Sequence, residues 1–221
     1  MKKEKEQFKK SMHEDELVSF TAKIVEYFKN PANTKKWLDI LFYAVIAVVA
    51  LFMFRNCQVN KENTVKNKLG PAEYKYMNGD YEGVIPLLND INKDYPNTKY
   101  SGQALYYLGE AYYKLGKYPE AEKAFEAARK KYLPELMKPL VYSSLGYAYE
   151  AQKDLPKAAA AFEEALKKFP NYYGRDELLI NAARCLRLSG KTEEARVRYE
   201  ELLNNYPNSQ WVDTAKQNLG R

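Results

Sequence analysis

Apolar residues are distributed along this chain in two regimes. Between Ile40 and Phe54 they form one unbroken run, ILFYAVIAVVALFMF, whereas from about residue 66 onward they recur at spacings of three and four. The second pattern is that of helices burying one face each. With Trp37 and Leu38 the first run spans about 18 residues, or roughly 27 Å as a helix, enough to cross a bilayer core. Lys35 and Lys36 precede it, Trp37 sits at its edge and Arg55 follows it, as snorkelling cations and an interfacial aromatic would. Asp39 falls in the first turn, within reach of the headgroup layer and the helix amino terminus. The run starts far from Met1 and no small-residue cleavage site follows, so it reads as a retained anchor rather than a signal peptide. Ahead of it, Leu17, Phe20, Ile24 and Phe28 predict an amphipathic helix with Glu14, Asp15 and Glu16 in its first turn, suited to the inner leaflet or to a membrane partner. Asn30-Pro31-Ala32-Asn33 breaks that helix before the span. The expected order is therefore a tail over 1–36 with its amphipathic helix, a transmembrane helix over 37–55 and a linker over 56–65.

The later part of the chain repeats itself. Aligning Leu108-Gly109 with Leu145-Gly146 places Tyr112 on Tyr149, Ala121 on Ala158, Phe125 on Phe162 and Ala128 on Ala165, an offset of 37 residues. The same step forward reaches Ala182-Ala183, Leu186, Ala195, Tyr199 and Leu202, and the same step back reaches Gly79, Val84, Leu88 and Ile91. Each copy reads as an apolar helix, a tight turn and a second apolar helix. Gly79, Gly116 and Gly190 let the backbone leave the first helix with positive φ; the third copy has Lys153-Asp154 there, with Asp154 expected to take that conformation at some cost. The alanines at 121, 158 and 195 allow paired helices to approach closely against Phe125, Phe162 and Tyr199. The phrases YPNTKY, FPNYYG and YPNSQW place Pro96, Pro170 and Pro207 where second helices stop. Four hairpins thus occupy 66–207. A last amphipathic piece, with Trp211, Val212, Ala215 and Leu219, makes 208–221 a capping helix over the final apolar face.

Charge and cysteine content narrow the function classes. The net charge of +6 suggests nucleic acid until it is located: residues 1–36 hold nine Lys against six acids, but from Arg55 onward 26 basic and 22 acidic residues are interspersed. That mixture is a solvated surface without a basic stripe or interleaved stacking aromatics, so no nucleic-acid partner is expected. Cys57 and Cys185 have neither disulfide nor metal-ligand spacing. Cys185 falls on an apolar helical face as a core residue, and Phe54-Arg55-Asn56 lacks the small residues a lipid-modification signal needs before Cys57. The single His13 lies in the tail. No phosphate-cradling loop, metal cluster or nucleophile elbow is present, so neither catalysis, nor a metal, nor a cofactor is expected. Paired acids such as Glu163-Glu164 and Glu200-Glu201 have Lys or Arg neighbours on helix surfaces.

The repeated residues closely resemble the tetratricopeptide repeat. Its pattern of Leu-Gly, Tyr, Ala, Phe, Ala and Pro is carried by Leu108, Gly109, Tyr112, Ala121, Phe125 and Ala128, and again by Leu145, Gly146, Tyr149, Ala158, Phe162, Ala165 and Pro170. The period exceeds the family's usual length of about 34 residues, the excess lying in the Pro-Asn linkers. With the apolar span and the final amphipathic piece, the resemblance makes the expected fold all-α: one amino-terminal transmembrane helix, a tetratricopeptide α-solenoid of about four hairpins and a capping helix. In that family a concave groove is lined by fixed positions of each first helix. Carried over, these are Glu73, Tyr76, Gln103, Tyr106, Glu110, Tyr113, Ser143, Tyr147, Glu150, Ile180, Arg184 and Arg187. Such a groove is rich in Tyr, which offers broad, rigid contact with a polar tip. Packing between repeats would occupy several of these tyrosines equally well. The Lys/Asn constellation with which chaperone-binding members clamp terminal carboxylates is absent.

Tail, single span and helical hairpins together are similar in plan to the YfgM-like bacterial inner-membrane proteins, ancillary subunits at the Sec translocon that connect it to periplasmic chaperones. The charges nearest the span are level on its two sides, and the nine Lys of the tail favour a cytoplasmic amino terminus with the remainder outside; the resemblance implies a periplasmic repeat domain and protein partners among translocon subunits, exported clients or envelope-assembly factors. The repeats themselves look closer to those of outer-membrane assembly and cell-division proteins. A membrane-tethered binding scaffold and a permanently packed structural subunit of a larger envelope complex therefore both stay open.

Overall fold

Leu, Ala, Tyr and Glu at three- and four-residue spacings favour helix, and the computed structural model describes residues 18–27 and 29–220 as helices joined by short turns, with no strand among them. The chain divides into two units with the boundary after Cys57. In the first, residues 18–27 form α1 with Phe20 and Ile24 exposed. His13, the acids at 14–16, Leu17 and Phe28 lie outside the described residues. Asn30 is a bend, and α2 (Pro31–Met77) starts directly at Pro31. A proline whose missing N–H would have no intrahelical partner there anyway suits that position. The best 18-residue window of α2 has a mean hydropathy of 2.4 with no residue buried, so this helix is long and apolar enough to cross a membrane.

The expected linker over 56–65 is helical throughout, part of α2, which ends in the second unit. Nothing between Asn56 and Val65 is Gly or Pro, so nothing local stops the helix. Val65 is fully buried, and with Leu69 and Ala72 it packs on Val84, Leu88 and Ile91 of α3 (Tyr81–Asp94). Three more hairpins follow. They are α4 (Ser101–Lys114) with α5 (Tyr118–Ala128), α6 (Met137–Ala151) with α7 (Leu155–Lys168), and α8 (Arg175–Leu188) with α9 (Thr192–Asn205). Each helix packs on the next, and α10 (Val212–Asn218) covers α9 through Ala215.

The repeat's punctuation has one geometry. Gly79, Gly116 and Gly190 have φ of +78°, +73° and +84°. In the third copy the residue with positive φ is Lys153, at +63°, not Asp154. The 37-residue offset places Lys153 on Gly116, so the register of the hairpin imposes the conformation on whatever residue stands there. Asp154 caps α7 instead, its side chain accepting from the Lys157 amide as Asp80 accepts from Gly83 at the start of α3. The Pro-Asn phrase is also uniform. Tyr95, Phe169 and Tyr206 cap their helices outside the α region that a following proline disfavours, with ψ of 48°, 67° and 56°, and each carbonyl then accepts from the amide three residues on, that of Thr98, Tyr172 or Ser209. Pro occupies the second position of all three turns, where its fixed φ is already correct.

Candidate functional site

The first helices of successive hairpins bring their polar side chains into register, and hydrogen bonds link each repeat to the next along this face. The Tyr76 hydroxyl donates to Glu110 (3.2 Å), Ser144 Oγ donates to the other oxygen of Glu110 (2.6 Å), and Asn181 Nδ2 donates to the Tyr147 hydroxyl (2.7 Å). Glu150 receives both terminal nitrogens of Arg184, one at 2.9 Å. All four links join residues 34 apart in sequence, one repeat on and one helical turn back. Two further links span 30 residues: Gln103 Nε2 donates to Glu73 (2.6 Å), and the Tyr147 hydroxyl donates to Glu177 (2.6 Å). Arg184 also donates to Asn181 Oδ1 (2.8 Å), which completes a small network on α6 and α8.

A cleft of about 390 Å³ opens along this ladder. Its walls are Tyr106, Glu110, Tyr113 and Lys114 from α4, Leu140, Ser143, Ser144 and Tyr147 from α6, and Tyr172, Gly174, Glu177 and Leu178 at the start of α8. The rings are held from behind: Tyr147 stands edge-on to Phe162 with centroids 5.2 Å apart, and Tyr113 is tilted against Tyr118 at 5.4 Å. Burial first, then neighbouring carboxylates, raises the Tyr106 and Tyr147 phenols above their ordinary range, and burial followed by the adjacent Tyr118 does the same to Tyr113. They are therefore neutral hydroxyls throughout the physiological range. Burial likewise pushes up the carboxyl of Glu73, its hydrogen bond from Gln103 opposing the shift.

Of the twelve residues expected in the groove, Tyr106, Glu110, Tyr113, Ser143 and Tyr147 line this one cleft. Glu73, Tyr76, Gln103, Glu150 and Arg184 belong to the hydrogen-bonded ladder on the same helices. Ile180 does not face the cleft: at 4% exposure it lies in the core with Leu179, Cys185 and Leu186. An aliphatic side chain at that position is drawn under the last hairpin, while its neighbour Asn181 takes the polar role. Arg187 is exposed and lines no part of the cleft. Ser144, Asn181, Tyr172 and Glu177 are contributors that sequence reasoning missed. Ser144 and Asn181 are one period apart, and each lies 34 residues after a groove residue already singled out, Glu110 and Tyr147. That spacing was the available signal.

Models of the tetratricopeptide repeat match residues 106–173 and 149–219, together more than half of the chain. No curated protein sequence matches it. Among solved structures, that of MamA superimposes with a TM-score of 0.55 at 20% identity, covering 67% of this chain and 84% of MamA. A protein assigned as a kinesin light chain from Podosopora anserina, with nearly identical TPR-like repeats, gives a TM-score of 0.57 at 17% identity over 71% of this chain and 86% of its own. These similarities concern the fold.

Proposed function

Because the chain belongs to the tetratricopeptide repeat proteins, a family of protein-interaction scaffolds, we propose that it is a membrane-anchored scaffold whose first-helix face receives partner proteins. The observation that carries this reading is the tyrosine-walled cleft shared by α4, α6 and α8. Its rings are buttressed, so a partner would meet rigid contact area at little entropic cost. The unburied apolar stretch of α2, flanked by Lys35, Lys36 and Trp37 before it and Arg55 after it, supports a single membrane span. The lysine-rich tail supports a cytoplasmic amino terminus and hence an extracytoplasmic repeat domain at the bacterial inner membrane. In that setting the scaffold assists exported proteins near the Sec translocon, together with periplasmic chaperones. Tethering raises the effective concentration of the cleft for partners at the membrane surface.

A second reading, a permanent structural subunit of an envelope complex, is favoured by the ladder itself, since its polar groups are already partnered within the chain. In-cell photo-crosslinking from positions 113 and 147 separates the two. Many exported proteins together with translocon subunits would support client handling. A single stoichiometric partner would support the structural subunit. Crosslinks confined to position 20 in α1 would overturn both placements of function on the repeat face.

A further inference from the structure

The acids of the cleft differ in what they bind from the ion-paired acids of α7. On α7, two carboxylates meet cations: Glu163 takes a two-pronged contact from Arg198 (2.6 and 2.7 Å), and Glu164 pairs with Arg129 and Lys168. In the cleft, Glu110 accepts from Tyr76 and Ser144, and Glu177 accepts from Tyr147, all neutral hydroxyl donors. Among the described residues neither carboxylate forms an ion pair. Neither is offset by a cationic partner, and each has spare acceptor capacity toward the cleft. The nearby Arg184 is neutralised by Glu150, leaving Lys114 as the one cation on the walls against two carboxylates, a balance of about −1.

The remaining walls suit the same ligand chemistry. Tyr106, Tyr113, Tyr147 and Tyr172 present aromatic rings, which attract cations over their faces and pack well against aliphatic stems. A carboxylate ligand would meet Glu110 and Glu177 with only Lys114 to offset them. A long side chain with an apolar stem and a cationic head satisfies both features, the stem against the rings and the head toward the acids.

We propose that the cleft between α4, α6 and α8 recognises an arginine or lysine side chain presented by an extended segment of a partner protein. The proposal rests on the reading of this face as a partner-binding surface and adds the chemistry of the partner. The test uses the full chain in detergent and fluorescence anisotropy with labelled extended peptides identical except for a central Arg, Lys, Gln or Glu. The Arg and Lys peptides are expected to bind about tenfold or more tightly than the Gln peptide, with Glu weakest and the preference shrinking as salt rises. Glu177→Gln and Glu110→Gln, which keep side-chain shape and are checked for unchanged helicity and melting, should remove the preference. Equal binding of all four peptides, lost together on Tyr113→Ala, would overturn the charge preference and leave the partner-binding face standing. Arg preference insensitive to both Gln variants would overturn the assignment to this cleft. No binding by any peptide would overturn the proposal, and absence of crosslinks from positions 113 and 147 as well would overturn the partner-binding reading with it.

Discussion

Gly146 on α6 lies so close beneath the ring of Phe162 on α7 that a Cβ added to it would stand 2.6 Å from the ring's Cζ. The same relationship joins Gly109 to Phe125 one repeat earlier. The equivalent pair in the last hairpin, one period on, is Ala183 with Tyr199, both buried. The two middle hairpins thus close by fitting a backbone without a side chain against an aromatic ring that is wholly removed from water, and the last by fitting the small Ala183. Gly146→Ala is expected to destabilise the repeat unit by about 1–3 kcal/mol through overpacking. Adding Phe162→Leu should recover part of that loss, so the pair would be non-additive in denaturant melts. Additive losses would mean that the contact is not what closes the hairpin.

The turn at Lys153 offers a change in the opposite direction. A lysine at φ +63° carries a steric cost that glycine avoids at the three equivalent turns. Lys153→Gly should therefore stabilise by about 1 kcal/mol, raising the melting temperature by roughly 2–4 °C for a domain of this size. Asp154→Ala, which deletes the cap of α7, should lower stability by about 1 kcal/mol. If Asp154→Gly rather than Lys153→Gly stabilised, the register of this turn would be wrong.

Glu150 and Arg184 tie the third repeat to the fourth through paired contacts, with the Glu150 side chain 20% exposed. Arg184→Ala removes this pair and the donor to Asn181 together, and a loss of about 1 kcal/mol is expected. Hydrogen exchange should quicken selectively in α8 and α9 rather than in α3 and α4. Uniform acceleration along the unit would show that the ladder stabilises globally instead of between neighbours.

Burial pushes the Cys185 thiol up to about 11, the Glu150 carboxylate adding to the shift. A thiol whose folded-state value is raised contributes stability that is fully present below its unfolded value near 9 and is lost as pH rises from there through about 11. Over that window the wild-type protein should lose stability more steeply than Cys185→Ala. At neutral pH maleimide should label the exposed Cys57 and reach Cys185 only after denaturation. Rapid native labelling of Cys185 would show that the core of the last two hairpins opens readily.

Helix, hairpin and apolar span were legible in the residues because each is a local matter. A period of three to four residues selects a buried face, a Gly 37 residues after another Gly marks the same turn, and fifteen apolar residues in a row declare themselves without neighbours. Five of the twelve groove positions meet in the cleft because they share one face of helices whose spacing the repeat already specifies. What the sequence left open is which side chains of neighbouring repeats turn toward one another once the helices pack. Packing draws the aliphatic Ile180 into the core and brings Asn181 to Tyr147. It also sets Glu110 beneath Ser144 and places Tyr172 and Glu177 on a wall begun by α4. Only packed helices decide which carboxylates meet an arginine and which meet a hydroxyl, because that choice is made between side chains about thirty residues apart.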